Sequence, residues 1–194
     1  MPGKLAIGVD VGGTKILAGV VTPEGEIIRR HERATPHDAQ ASVVRELEAA
    51  VAELLTDEIA AIAFGVPSPI DLAKGVVVEC VNLPLADFAL VEHMSQRFGL
   101  PVGLDNDANA AAIGEWHAGV ARGHDDVVML TLGTGLGGGF GVAGWEHLIP
   151  SAEQVMRREA LRPMRDTVQV AKAELGTSAG LIGAGFVAFE VSAG

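Results

Sequence analysis

Cysteine is nearly missing from this 194-residue chain, and Cys80 is the only one. A lone thiol excludes an internal disulfide and a zinc site built from several cysteines. Its simplest role is that of a small buried hydrophobe. Positive charge is also scarce: 14 Lys and Arg stand against 25 Asp and Glu, for a net charge of −11. A polyanion would be repelled overall, so no nucleic-acid partner is expected. The one basic cluster, Arg157, Arg158, Arg162 and Arg165, is interrupted by Glu159 and reads as a solvated helix face. No apolar run is long enough to span a bilayer, and no signal-peptide pattern opens the chain. These absences point to a soluble, cytoplasmic protein with no membrane partner. Hydrophobic residues at 48% and charged residues at 20% fit a globular chain, with room for one ordinary domain or two small ones.

What is present is organised around Asp10-Val11-Gly12-Gly13-Thr14-Lys15. Apolar runs on either side, Leu5 to Val9 and Ile16 to Val21, read as two strands joined by a tight turn. Glycines there let the backbone approach a ligand closely, and bare N–H groups at such a turn form an anion-binding concavity. Thr14 adds a hydroxyl and Lys15 a positive charge, while Asp10 at the strand end could hold a metal ion. An ordinary Gly-Gly hairpin turn accounts for the stretch equally well. The spacing matches neither Gly-x-Gly-x-x-Gly nor a Walker loop.

The hairpin extends into a meander with a third strand over Ile27 to Thr35. The spacing of Val43, Leu47, Val51 and Leu54 predicts a helix over Asp38 to Leu55. Ile59 to Val66 reads as a strand buried on both faces, stopped by Pro67-Ser68-Pro69. A strand at Val76 to Val81 precedes Asn82-Leu83-Pro84, with Glu79 pointing to solvent. A helix follows over Asp87 to Phe98. Val102 to Leu104 is a strand leading into Asp105-Asn106-Asp107, and Ala110 to Trp116 an alanine-rich helix. Beyond the polar stretch Gly123 to Asp126 we expect a second lobe. It comprises a strand over Val127 to Leu132, the glycine-rich turn Gly133 to Gly139, a helix over Ser151 to Leu161 opened by a Ser151/Gln154 capping box, a strand over Thr167 to Ala173, and a last helix over Ser178 to Phe189. The expected division is 1–122 and 123–194.

Asn106 and Asp107 sit where ligands bind in open α/β folds, at a strand end before a helix. An Asp there could take the proton of a substrate hydroxyl, and an Asn could hydrogen-bond sugar hydroxyls. Taken alone, helix capping explains them at least as well. Thr134 and Gly135 form a second phosphate-cradle candidate, with a plain glycine hairpin as the alternative. Ser68, Asn82 and Glu115 are each, singly, more often satisfied structural residues than ligands.

Together the motifs say more. Asp10 to Lys15, Asn106-Asp107-Ala108-Asn109-Ala110-Ala111-Ala112, Leu132 to Gly139, and Glu174-Leu175-Gly176-Thr177-Ser178-Ala179-Gly180-Leu181-Ile182-Gly183-Ala184 occur in the order found in the ROK family of bacterial sugar kinases and related repressors, which the chain closely resembles. The resemblance implies an α/β, actin-like ATPase (ribonuclease H-like) fold, with hexose and nucleotide as ligands and ATP with Mg2+ as phosphoryl donor. By position it makes Asp107 the catalytic base, and places Asn106, Asn82 and Ser68 around the sugar. Asp10 is counted with the phosphate- and ATP-binding residues, and no residue is assigned to a metal site. Gly12, Gly13, Thr14 and Lys15 would form the first phosphate loop, and Thr134 and Gly135 the second. The departures are as informative. The family's Glu-x-Gly-His segment, its cysteine-rich zinc motif and its adenosine-binding turn are not in this sequence, and Val142-Ala143-Gly144 looks like a junction. We therefore expect a complete N-terminal lobe and a truncated C-terminal lobe in a shortened sugar kinase, most simply a glucokinase, whose activity would persist only if the lost surfaces were supplied in trans, for example by a homodimer. The alternative is a catalytically inactive remnant that binds sugar weakly or only packs against a partner. The repressors' DNA-binding helix-turn-helix is also missing, which disfavours a repressor role.

Overall fold

The computed structural model describes residues 5–131, 145–162 and 164–193. Eight strands and six α-helices are present among them. The strands are β1 Leu5–Val11, β2 Lys15–Val21, β3 Ile27–Ala34, β4 Ile59–Val66, β5 Ile70–Asp71, β6 Val76–Glu79, β7 Ala86–Phe88 and β8 Val102–Asn106. The helices are α1 Gln40–Ala52, α2 Leu90–Phe98, α3 Asp107–Ala118, α4 Trp145–Glu159, α5 Met164–Thr167 and α6 Ala179–Ala193, the last preceded by a 3-10 turn over Gly176–Ser178.

The main sheet has the order β3-β2-β1-β4-β8. β3, β2 and β1 form the expected antiparallel meander, while β1, β4 and β8 run parallel. Alternation along the strands makes the two faces chemically different. Ile7, Val9, Val11, Ile16, Ile62, Phe64, Val66 and Leu104 project to one side, where they form the main core with Val43, Leu47 and Val51 of α1 and Leu90 and Met94 of α2. Burying each such side chain stabilises the fold by about 1.5–3 kcal/mol. The opposite rows are small, Ala6 and Gly8 on β1, Ala61, Ala63 and Gly65 on β4, and Gly103 on β8. They allow α6 to lie almost on the backbone. A Cβ added to Gly8 would overlap the carbonyl of Leu181 and lie 2.7 Å from the Gly185 nitrogen. α3 packs beside α6 by the same means, since a Cβ on Gly114 would lie 2.5 Å from the Ala179 oxygen. Leu17, Val21, Leu181 and Ile182 close the end of this layer.

β5, β6 and β7 form a small antiparallel sheet. The helix expected from Asp87 begins instead at Leu90, because Ala86 and Phe88 pair with Glu79 and Val77 of β6. Asp87 takes the left-handed conformation, with φ of 47°, that short polar side chains tolerate. Cys80 is buried, and Glu79 is exposed, as expected.

Contacts divide the chain into two units, Met1–Met129 with Leu175–Gly194, and Leu130–Glu174. This differs from a division at residue 122. The tail helix α6, expected in the second lobe, belongs to the first, packed on β1, β2, β4, β8 and α3. Contrary to the expectation that no stretch is long and apolar enough, Gly176–Ala193 has the length and mean hydropathy, 1.2, of a membrane span. Here that apolarity is used against the sheet.

The chain after residue 126 departs from expectation in three places. Residues 127–131 and 168–173 form no strand. A strand needs a partner for its N–H and C=O groups, and no element after residue 126 is a strand among the described residues. Ser151 does not cap a helix: α4 starts at Trp145 and runs through Pro150. Thr167 ends α5 instead of opening a strand. The glycine turn with Thr134 and Gly135, and the junction at Val142 to Gly144, lie outside the described residues.

Candidate functional site

The parallel strands β1, β4 and β8 end together, with Asp10 paired to Gly65 and Gly65 to Asp105. Asp10 lies on the small-residue face. There its carboxylate meets Gly180 in the first turn of α6, where an added Cβ would sit 2.7 Å from Oδ2. Gly65, next along the row, has no side chain to hold α3 away. A Cβ on Gly65 would lie 3.1 Å from Cβ of Ala110 and 3.5 Å from Cα of Asp107. The first turns of α3 and α6 thus converge on the end of β1, bringing Asp107 and Asp10 together. The electrostatics show the proximity: burial first, then the negative charge of Asp107, push the Asp10 carboxyl up from 3.8 to about 6, against a smaller opposing pull from Lys15.

The turn between β1 and β2 is closed by the Gly12 N–H donating to the Lys15 carbonyl at 2.9 Å. Thr14 and Lys15 are exposed. The Lys15 ammonium is paired with Glu32 at 2.8 Å, so part of its charge is already neutralised. Thr35, which the sequence did not single out, braces this turn from the end of β3. Its hydroxyl donates to the Gly12 carbonyl at 2.8 Å and its N–H to the Thr14 carbonyl at 3.1 Å. Gly13 faces the turn after β6, where a Cβ on Gly13 would lie 3.8 Å from Cβ of Asn82. Asn82 itself is exposed and open to a ligand.

Asn106 is the N-cap of α3. Its Oδ1 accepts from the Ala108 and Asn109 amides at 2.9 and 3.3 Å, and its amide donates to the carbonyls of Val66 and Ser68, both at 3.4 Å. Capping and loop bracing therefore engage this side chain. Ser68 is turned inward: it is 3% exposed, its hydroxyl donates to the Pro69 carbonyl at 2.8 Å and accepts from the Glu79 amide at 3.0 Å. Its hydroxyl shapes the loop beside Asn106. Asp107 is half-buried, and its Oδ1 accepts from the Ala108 amide at 2.9 Å, leaving Oδ2 with no hydrogen bond among those described. Among the described residues, no three His, Cys, Asp or Glu side chains group closely enough to enclose a metal. The two carboxylates of Asp10 and Asp107 do fit the chemistry of Mg2+, which is held by one or two carboxylates together with substrate phosphates and water.

A meander leading into parallel strands, with acidic residues at the strand ends beneath two helix N-termini, defines an α/β lobe of the actin-like ATPase fold. Comparison with known proteins gives the family. The ROK family profile matches residues 6–145, and the chain belongs to the ROK family. It is 43% identical over 135 residues to a glucokinase of Streptomyces coelicolor, a match covering 70% of this chain and 43% of that protein. It is 38% identical over 148 residues to a glucokinase of Thermotoga maritima, covering 75% of this chain and 47% of the other. A ROK family glucokinase from Streptomyces griseus, solved in complex with glucose and AMPPNP, superimposes with a TM-score of 0.58 at 42% identity over 63% of this chain and 39% of that one. A ROK hexokinase from Thermus thermophilus reaches a TM-score of 0.69 at 24% identity, covering 98% of this chain and all of the other, and speaks for the fold alone. The chain spans less than half the length of the two curated glucokinases.

Proposed function

We propose that the chain derives its site from a hexose kinase, with Asp107 as the base for phosphoryl transfer from ATP to a sugar hydroxyl, most simply that of glucose. The convergence of Asp107 and Asp10 at the strand ends supports this reading, together with the glucokinase relatives. The hydroxyl oxygen bonds to the γ-phosphorus as the bond to the β-bridging oxygen breaks, and Asp107 takes the hydroxyl proton. Asp10 and the turn over Gly12, Gly13, Thr14 and Lys15 would receive the phosphates and Mg2+, with Thr134 and Gly135 as the second loop. Mg2+ would supply charge neutralisation on the phosphates, and would also relieve the cost that burial and Asp107 impose on ionised Asp10. Asn82 is the free polar side chain for the sugar, while Asn106 and Ser68 hold the loop beside it.

A second reading is favoured by the length of the chain and by its exposed apolar residues. Val128, Leu130 and Leu161 are all at least 80% exposed. On this reading an internal deletion took the zinc motif and the adenosine turn, and the chain is an inactive, cytoplasmic sugar-binding remnant, or is completed by a homodimer. Calorimetry with glucose, mannose and N-acetylglucosamine tests the shared core of both readings. Weak hexose binding is expected, and no heat with any of them at millimolar concentration overturns the sugar site.

A further inference from the structure

Glu115 lies on α3, eight residues beyond Asp107 and thus about two turns along the helix. It is only 3% exposed. A buried carboxylate is costly unless its oxygens are satisfied. Here both oxygens accept from backbone amides: Oε1 from the N–H of Leu175 at 2.7 Å, and Oε2 from the N–H of Val120 at 3.0 Å. Gly119 leaves room for the carboxylate, since a Cβ there would lie 2.8 Å from Cδ of Glu115. Leu175 stands at the end of the connection that leaves α3 and returns to α6. The Glu115–Leu175 bond thus ties together residues 60 apart in sequence. From Leu175 the chain enters the 3-10 turn and α6, whose second residue, Gly180, abuts Asp10.

The α3–α6 contact is backbone against backbone, at Gly114 with Ala179 and at Gly183 with Ala110. At these positions no side chains interlock to set how far one helix slides along the other; the ring contact across the pair, His117 stacked on Phe186 at 4.5 Å, lies toward the end of α3 away from Asp107. The Glu115 tether supplies a stop at the start of α6. We propose that Glu115 is a positioning residue of the phosphoryl-transfer site, holding α6 in the register that places Gly180 against Asp10 while α3 places Asp107 opposite. The inference deepens the kinase reading and rests on it for the catalytic meaning, but its geometric content stands apart. If the register slips, Asp10 and Asp107 lose their spacing, and a misplacement of about an ångström is enough to cost roughly a hundredfold in rate.

The test uses Glu115→Gln and Glu115→Ala in the full chain. Glu115→Gln keeps the shape but turns an NH2 group toward one of the two amides, so it remains folded if Glu115→Ala does not. Amide exchange at Leu175 and Val120 is read by NMR with the side-chain carboxyl 13C resonances of Asp10 and Asp107. A hydrogen bond to a charged acceptor protects an amide by about ten- to a hundredfold. Glu115→Gln is therefore expected to speed exchange at one of the two amides by that factor and to shift both carboxyl resonances, which a merely local structural role would leave in place. Unchanged Asp10 and Asp107 resonances in Glu115→Gln overturn the proposal. Neither readout requires turnover, so lack of kinase activity in the wild type would count against the kinase reading and leave the positioning claim to be decided by the resonances.

Discussion

Gly183→Ala isolates the contact on which the arrangement of both helices depends. Alanine is the better helix former by about 0.8–1 kcal/mol, so on an open helix the substitution would stabilise. At Gly183 the added Cβ would overlap the carbonyl oxygen of Ala110, 2.5 Å from its carbon and 2.9 Å from the Gly114 nitrogen, where ordinary contact begins at 3.4 Å. All three atoms are backbone, so no rotamer change relieves the clash, and α3 and α6 must separate by about one ångström along their contact. Overpacking of this kind costs typically 1–3 kcal/mol, and a rigid backbone places it at the upper end. After the propensity gain, a net loss of about 2 kcal/mol remains. For a domain of this size that is a fall of roughly 4–8 °C in Tm. Thermal denaturation followed by circular dichroism is the assay, with Glu190→Ala as control because Glu190 is exposed on the same helix. A Gly183→Ala protein as stable as wild type, or more so, refutes the close crossing.

Asn106→Ala removes the α3 cap and the brace on the Ser68 loop, and urea denaturation is expected to show a loss of about 1–2 kcal/mol, with Asn106→Asp retaining most of the cap. For Asp10 the folded pKa of about 6 lies above the ordinary 3.8. Its contribution to stability is therefore fully present below pH 4 and is lost as pH rises through 6. The loss amounts to roughly 2–3 kcal/mol at pH 7. Asp10→Asn should remove this dependence, so that the variant gains on the wild type as pH rises from 4 to 7, as read by guanidinium denaturation. Parallel pH profiles for the two proteins would contradict the burial of Asp10 beside Asp107.

The first unit was legible in the sequence because its signals are local. The apolar runs of β1, β2 and β4 map directly onto the sheet. The one-sided spacing of Val43, Leu47, Val51 and Leu54 likewise leaves all four side chains buried. The helix α6 was expected, but its place on the first unit was not legible, because nothing local in the sequence says that Gly8 and Gly103 lie against it. Thr35 and Glu115 escaped notice as braces for a related reason, since their partners lie 23 and 60 residues away. The strands expected at 127–131 and 168–173 show the reverse limit. β-prone residues such as Val127-Val128 or Val168 and Val170 state a preference, but pairing decides whether a strand forms. At the site, Asp10 and Asp107, singled out from the sequence, lie close together, and Asn82 is exposed. The inward hydroxyl of Ser68 and the Lys15–Glu32 pair became visible only in three dimensions.

The most direct test of the central claim, that Asp107 is the proton acceptor at a hexose site, is phosphorylation of glucose by ATP in wild type and Asp107→Asn, with product detected by mass spectrometry over long incubations. Asp107→Asn keeps the shape and removes the base. A slow wild-type rate is expected, far below the roughly ten per second of an average enzyme. In Asp107→Asn it should fall by at least a hundredfold, the lower range of what a positioned base contributes. Equal product formation by the two proteins would contradict the account.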